Sequence, residues 1–294
     1  MRWLFFACIL FASGLQAGTF EDCFKKAKHK RDTHSILGVD MIYVINEHKN
    51  LRQFKQIKKD FDDYGIVPYR FNAVDPKSMS YTMLSKVGVR MINTRSDFTA
   101  LRLRKGLLKP SLKPSIMDDG EKTYFSNTMT MKKIARNLDF LSVIYDAYRS
   151  KKNCVWIMED NVEICKDPLT LTTRLVELDK ADPVWDVLYT DLDAKIEPGS
   201  KEDDSEIFYI NRPDLTFGTI DTYVNRAQNL GNFQEIGLRT GAYSFLLSRH
   251  GMKLILDYYH KNHIFVPFAQ EILLIPGIHP YGLPDPIVTN DRAL

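Results

Sequence analysis

Short apolar runs alternate with helical patterns along this chain from residue 41 onward. Residues 41–45 are apolar, and apolar residues then recur at spacings of three and four between Leu51 and Tyr64. A further strand-like segment follows at residues 67–71. A short apolar run predicts a buried strand, and a period near 3.6 residues predicts an amphipathic helix. This segment therefore predicts a β-α-β unit in which two parallel strands are joined by a right-handed crossover.

The same reasoning predicts the elements that follow. The predicted helices cover residues 78–87, 122–148, 168–178 and 249–260, with a short one beginning at Pro267. The predicted strands cover residues 154–158, 185–190 and 242–247. An exposed insertion is expected at residues 197–206, and the tail from Gly277 is expected to wrap the surface. Alternation of strands and helices predicts an α/β fold with one mostly parallel central sheet.

The strand predicted at residues 154–158 ends abruptly in Glu159, Asp160 and Asn161. Ligands of open α/β sheets bind just beyond the carboxyl ends of the strands. Carboxylate and amide oxygens at that position can hold a hard divalent cation, such as Mg²⁺ or Mn²⁺, which neutralises substrate phosphates. Two interpretations stay open at this point, a cation site or an ordinary polar loop.

A second strand end repeats this arrangement, because residues 185–190 run into Asp191 and Asp193. Residues two apart in an extended segment point to the same side, so these two carboxylates can converge on one ligand. We expect Asp191 to lie at the same edge of the sheet as Glu159. The alternative is a solvated loop, since a single Asp-x-Asp occurs in many of them.

Charge and composition narrow the class of partner. The chain has 40 basic and 37 acidic residues, a net charge of +3, which does not indicate binding to nucleic acid or to an anionic membrane. Residues 90–113 are rich in Lys and Arg, with Asp97 as their only acidic residue. This stretch predicts either a surface for an anionic acceptor or a diphosphate, or a solvated loop or helix face.

The first residues have the features of a targeting segment. Residues 1–17 combine an early Arg, an apolar run and a small residue before Gly18, which predicts a secretory signal peptide cleaved after Ala17. An uncleaved signal anchor is the alternative. Cleavage leaves no stable membrane span and places the protein in the secretory pathway, the periplasm or outside the cell. Three cysteines then remain, so at least one thiol is unpaired and no disulfide scaffold is predicted.

Several short strings, in order, resemble glycosyltransferase family 25, the family of lipopolysaccharide β-galactosyltransferases and procollagen galactosyltransferases. The strings lie at residues 44–46 with Arg52, 70–75, 120–126, 157–162, 185–189 and 240–251. Residues 157–162 are similar to the family's L-E-D-D-V metal motif, and residues 185–189 to its W-D-x-x-Y strand. The resemblance spans roughly residues 40–290 and defines a domain at 39–294, preceded by a basic extension at 18–38.

The resemblance implies a GT-A fold, a UDP-sugar donor and Mn²⁺ or Mg²⁺ as cofactor. It implies transfer of a hexose, with galactose as one option, to a glycan or protein acceptor, as in lipopolysaccharide biosynthesis. The implied metal ligands are Glu159, Asp160 and Asn161, supplemented by Asp191 and Asp193. The implied nucleotide contacts are Asn46, Arg52, Asp75 and Asp160, and the implied general base is Glu271.

This chain departs from the family's motifs at several positions, including Thr123-Tyr124 for its Gly-Cys and Asn127 for its His. Asn161 replaces an Asp, and Ala269 stands where the family has an Asp after the proline, with Glu271 two residues away. These departures keep a second hypothesis open, a secreted carbohydrate-binding or interaction protein that retains the fold without catalysis. The sequence favours the enzyme, because a signal peptide is compatible with transfer in a secretory lumen.

Overall fold

The protein is described from a computed structural model, which covers residues 19–91, 100–104, 107–110, 122–126, 129–192, 212, 215, 229–239 and 241–289. The predicted signal peptide, the predicted insertion at 197–206 and Asp193 lie outside these residues. The helices are α1 (Leu51–Asp62), α2 (Tyr81–Val87), α3 (Met131–Arg149), α4 (Leu171–Ala181), α5 (Arg249–Asn262) and α6 (Phe268–Glu271).

The strands fall into three sheets. In chain order they are β1 (Met41–Asn46), β2 (Tyr69–Asn72), β3 (Val89–Met91), β4 (Ala100–Arg104), β5 (Leu107–Pro110), β6 (Lys122–Ser126), β7 (Cys154–Glu159), β8 (Glu163–Ile164), β9 (Val187–Tyr189), β10 (Asn229–Leu230), β11 (Phe233–Glu235), β12 (Ser244–Ser248), β13 (Pro280–Gly282) and β14 (Val288–Thr289). Eight of them form the central sheet, in the order β10-β11-β13-β9-β12-β7-β1-β2.

The central sheet confirms the α/β class and is mixed. β1 pairs in parallel with β2 and with β7, and β13 pairs in parallel with β9. β12 lies antiparallel between β7 and β9, so these two strands run in the same direction on either side of it. The parallel pair predicted from residues 41–71 is therefore confirmed.

Helices cover both faces of this sheet, because successive strand residues alternate between two apolar clusters. Tyr43 and Ile157 pack in one cluster, which also contains the buried positions of α3 and α5. Ile42 and Trp156 pack in the other cluster, with the buried positions of α1 and α4. A strand buried on both faces requires a nearly continuous apolar run, and this is the pattern in β1 and β7.

Three predictions about elements were wrong. The basic stretch at 90–113 contains β3, β4 and β5, which join β6 in a second, antiparallel sheet of four strands. Residues 101–104 alternate apolar and charged residues, which is the period of a strand and not of a helix. The helix predicted from residue 122 begins at Met131, because β6 occupies residues 122–126 and Thr130 caps the helix.

The tail from Gly277 is also part of the core, whereas it was expected on the surface. β13 lies inside the central sheet between β11 and β9. Val288 is fully buried and pairs with Ile164 of β8. Gly277 and Pro284 stand at turns, but Pro280 and Gly282 begin and end the buried strand β13.

The basic extension at 18–38 packs against the domain. Phe20, Cys23 and Phe24 are buried in the larger apolar cluster, and the backbone N–H of Lys25 donates to Ser142 Oγ on α3 at 2.9 Å. Within the described residues, the three cysteines form no disulfide. No helix in the described part of the chain is long and apolar enough to cross a membrane.

Candidate functional site

The carboxyl edge of the central sheet brings the two acidic strand ends together. Glu159 ends β7, and Asp191 follows β9 by two residues. The backbone N–H of Glu159 donates to the Tyr243 carbonyl at 2.9 Å, and the Tyr243 N–H donates to Asp191 Oδ2 at 2.8 Å. Both acids therefore flank the start of β12, which confirms that they lie at one edge.

Asp160 is held by the end of the neighbouring strand. Asn46, the last residue of β1, donates from Nδ2 to Asp160 Oδ2 at 2.6 Å. The other side of the amide accepts from Arg70 Nε at 2.6 Å, so the fully buried Asn46 is oriented from both ends. Burial raises the pKa of Asp160, and the hydrogen bond from Asn46 opposes this rise. Asn46 thus positions this carboxylate from its own strand end.

Glu159 forms an ion pair with Arg136 of α3, with Nη2 and Oε2 3.3 Å apart. Burial raises the pKa of Glu159, Arg136 lowers it, and the nearby carboxylates of Asp160 and Asp191 raise it further. The three carboxylates are therefore close enough to repel one another electrostatically. Arg136 is the cation that lets them share this edge.

Asp191 is fully engaged by internal partners. Its Oδ1 accepts from Arg239 Nη2 at 2.8 Å, and neither side chain of this pair is exposed. Its Oδ2 accepts from the backbone N–H groups of Tyr243 and Ser244. The Arg239 guanidinium lies over the Tyr189 ring, 4.0 Å from its centre. Asp191 therefore orders the start of β12 and is not available to a ligand in this arrangement.

The donor atoms at the end of β7 suit a hard cation better than Asp191 does. The Asn161 Oδ1 is buried and has no hydrogen-bond partner in the described part of the protein. It stands next to Asp160 in the chain, so an unpartnered oxygen and a carboxylate occur at one strand end. Among the described residues, however, no group of three or more His, Cys, Asp or Glu side chains could hold a metal ion. The oxygen atoms that suit a cation at this edge therefore belong to Glu159, Asp160 and Asn161.

The remaining sequence-predicted residues lie outside this cluster. Arg52 is exposed on the first turn of α1. Asp75 is also exposed, and its Oδ1 accepts from the Lys77 N–H to cap a short 3₁₀ turn. Asp193, which was predicted to converge with Asp191, lies outside the described residues. The structure therefore groups only part of the predicted set.

Glu271, the predicted general base, lies in the core. Its side chain has no exposed surface, and its carboxylate pairs with Arg212 and accepts from the Tyr258 hydroxyl at 3.3 Å. A proton acceptor must come within hydrogen-bond reach of the acceptor hydroxyl. In this conformation an external hydroxyl cannot reach Glu271. The prediction was made from its position after Pro267, which carries no information about burial.

Sequence reasoning missed the charged residues that surround the acids. Arg136 and Asp139 lie three positions apart on α3, which places them on the same side of the helix. The Asp139 Oδ1 accepts from the Val74 N–H at 2.6 Å, beyond the end of β2. The available signal was the position of Arg136 and Asp139 among the apolar residues of the middle of this helix. Arg239 gave no such signal, since its neighbours in sequence form no periodic pattern.

No protein-family model matches this chain, and no curated protein matches its sequence.

Proposed function

We propose that the protein is a glycosyltransferase that moves a hexose from a UDP-sugar to a glycan or protein acceptor. The observation that carries this proposal is the convergence of Glu159, Asp160 and Asn46 at the carboxyl edge of one α/β sheet. Ligands of open α/β sheets bind at such edges. The motifs in the sequence that resemble glycosyltransferase family 25, and the GT-A fold they imply, are the further support.

Each residue at the carboxyl edge of the sheet has a separate role in the proposed reaction. Asn46 and Arg70 hold the Asp160 carboxylate in one orientation. Charge that develops on a UDP leaving group would be offset by Mn²⁺ or Mg²⁺ held by Glu159, Asp160 and Asn161. The Arg136 guanidinium opposes the rise in the pKa of Glu159 that burial causes. The proposal names no general base among the described residues, because Glu271 is inaccessible in this conformation.

A UDP-release assay over a panel of donor sugars, with and without Mn²⁺, tests this proposal. Asp160→Asn keeps the shape of the side chain and an oxygen for Asn46 but removes the charge, so we expect release to fall by roughly 10–100-fold. Asn161→Asp should strengthen Mn²⁺-dependent UDP binding, because it adds a carboxylate to the ligand set. Asp257→Asn removes an exposed carboxylate on α5 and should change neither quantity.

A second candidate is a non-catalytic carbohydrate-binding or interaction protein. It is favoured by the internal pairing of the carboxylates, since Asp191 is bound to Arg239 and Glu159 to Arg136. Such pairing leaves less negative charge for a cation. If the unaltered protein binds no UDP at millimolar concentrations with Mn²⁺, and Asn161→Asp does not create binding, this second function replaces the first.

A further inference from the structure

An exposed loop in the amino-terminal extension carries four consecutive residues that are basic or have an imidazole. These residues are Lys28, His29, Lys30 and Arg31, and they are called the basic loop here. All four are exposed, and they lie outside any helix or strand. The proposed glycosyl transfer gives them no role.

The domain holds the basic loop at both of its ends. At the first end, the Lys28 N–H donates to the Tyr69 hydroxyl at 3.0 Å, and this hydroxyl donates to the Lys28 carbonyl at 2.8 Å. Beyond the second end, the backbones of Thr33 and Val67 exchange two hydrogen bonds, at 2.9 and 2.8 Å. The loop is therefore a short exposed bridge between two segments that are attached to the domain independently.

The middle of the basic loop can adopt the extended conformation in which a peptide enters a binding cleft through main-chain hydrogen bonds. The backbone N–H groups of residues 29–31 make no hydrogen bond within the described part of the chain. His29 has a φ of 52°, in the left-handed region, and extension of the loop relieves the cost of this conformation. The Lys30 ammonium pairs with Asp146 at 3.0 Å and donates to the Ser150 hydroxyl at 2.6 Å. These contacts lie at the surface, where an ion pair contributes little to stability and is released easily.

The other pairs of adjacent basic residues are less accessible than Lys30-Arg31. They are Lys25-Lys26, Lys58-Lys59, Arg104-Lys105, Lys132-Lys133 and Lys151-Lys152, and Lys105 lies outside the described residues. Two of the pairs lie inside α1 and α3. The N–H groups of Lys151 and Lys152 donate to carbonyl groups of α3, and the half-buried Lys25 donates to Ser142 and to the Ala73 carbonyl. A pair held in this way must unfold locally before it can enter a cleft, which lowers the rate of cleavage.

We propose that the peptide bond between Arg31 and Asp32 is a processing site for a serine protease of the secretory pathway that recognises paired basic residues. Carboxylates in the substrate cleft of such a protease bind the side chains of Arg31, Lys30 and Lys28. Hydrolysis breaks the amide bond, and water supplies a hydroxyl to the Arg31 carbonyl carbon and a proton to the Asp32 nitrogen. The signal peptide predicted at residues 1–17 directs the chain to the compartment of this protease. This inference stands independently of glycosyl transfer.

Digestion of the folded mature chain with a subtilisin-like protease specific for paired basic residues tests the site. Intact-mass measurement and N-terminal sequencing should show one early cut and a new chain that begins at Asp32. Arg31→Gln should slow this cut by roughly 100-fold or more, because the carboxylate that receives the side chain next to the cut is left unpaired. Lys28→Gln should slow it roughly tenfold, because one charge-assisted contact is lost.

Lys59→Gln is the matched control, because it removes one charge from an exposed basic pair that lies inside α1. It should leave the rate of the cut unchanged. Equal slowing by Lys59→Gln and Arg31→Gln would show a general charge effect and overturn the proposal. A cut at another basic pair that is as fast as the cut after Arg31 would also overturn it. The same holds if the folded chain resists a protease concentration that cuts the denatured chain.

Discussion

At the carboxyl edge of the central sheet, Asp160 and Asp191 are buried, Glu159 beside them is only slightly exposed, and the pKa of each is raised above its usual range. Burial is the main cause in all three. At the amino edge, Asp182 also loses hydration, but hydrogen bonds from His279, Val184 and Tyr281 outweigh this and lower its pKa. The pKa values of carboxyl groups are therefore shifted in opposite directions at the two edges.

The partners explain this difference. At the amino edge, Asp186 accepts from His250 Nδ1 at 2.8 Å and from the His279 N–H at 2.9 Å. Both histidine rings are substantially exposed, and the carboxylates join the starts of β9, β13 and α5. At the carboxyl edge, the carboxylates crowd one another and depend on two arginines. Crowded, buried carboxylates are typical of functional sites. The carboxylates at the amino edge instead connect neighbouring elements through hydrogen bonds, which is a structural role.

The largest effect is expected for Arg239→Met at the carboxyl edge. It leaves Asp191 buried without its cation, and we expect a loss of roughly 3–5 kcal/mol in the free energy of unfolding. Urea denaturation measures this loss. Arg149→Met is the control, because Arg149 also lies near a tyrosine ring, 5.7 Å from its centre, but is exposed. A loss below about 1 kcal/mol for Arg239→Met would show that the pair does not hold this edge.

The second prediction concerns Asp139, which lies beside this edge and whose pKa burial raises from 3.8 to about 7. The unfolded chain ionises near 3.8, whereas the folded protein retains the proton until about pH 7. The stabilisation is therefore complete below the lower pKa and is lost as the pH rises through the higher one. Asp139→Asn removes this titration and keeps an acceptor for the Val74 N–H.

Unfolding free energies between pH 4 and 8 check this prediction. The variant should gain stability relative to the unaltered protein by on the order of 3–4 kcal/mol across that interval. Asp63→Asn, an exposed change at the end of α1, should follow the profile of the unaltered protein. Parallel profiles for Asp139→Asn and the unaltered protein would contradict the proposed burial of a protonated carboxyl.

A third, smaller effect is expected at the amino edge for Gly251→Ala. A Cβ at Gly251 would lie 2.9 Å from the Asp186 carbonyl oxygen, which is backbone and cannot move alone. We expect thermal denaturation to show a loss of roughly 1–3 kcal/mol, because α5 must shift away from β9. Lys253→Ala, in the same helix but exposed, should stay within about 0.5 kcal/mol of the unaltered protein. Equal stability of the two variants would show that the contact is relaxed easily.

The smallest effect is expected for Asp182→Asn, which weakens the hydrogen bonds from His279 and Tyr281 at 2.9 Å each. These bonds lie near the surface, so we expect a loss of about 0.5–1 kcal/mol at pH 7. The pKa of Asp182 is lowered, so its stabilisation is present above the unfolded pKa and is lost in acid. The two proteins should therefore converge in urea denaturation as the pH falls through the lowered pKa of Asp182. A constant difference at all pH values would show that the lost contribution is not ionic.

The sequence by itself determined the α/β class and the position of the acids. Residues 41–45 and 154–158 are apolar without interruption, which suits strands covered on both faces, and Ser248 has the expected role as a helix cap. Because strands 154–158 and 185–190 end in acids, their meeting at one edge followed from parallel direction alone. The short elements near residues 100–126 and 280–289 were missed, since strands of two to five residues carry little periodic signal.

Only the tertiary structure decided which charged side chains pair with each other and which are buried. Arg239 and Asp191 are 48 residues apart in the chain and meet because β12 starts between Glu159 and Asp191. Glu271 is the acid nearest to the position of the family's Asp after Pro267, yet it is buried against Arg212. Local patterns record which residues are apolar and where the chain turns. The protonation, accessibility and pairing of a carboxylate depend on groups that are distant in sequence, so they are set when the chain packs.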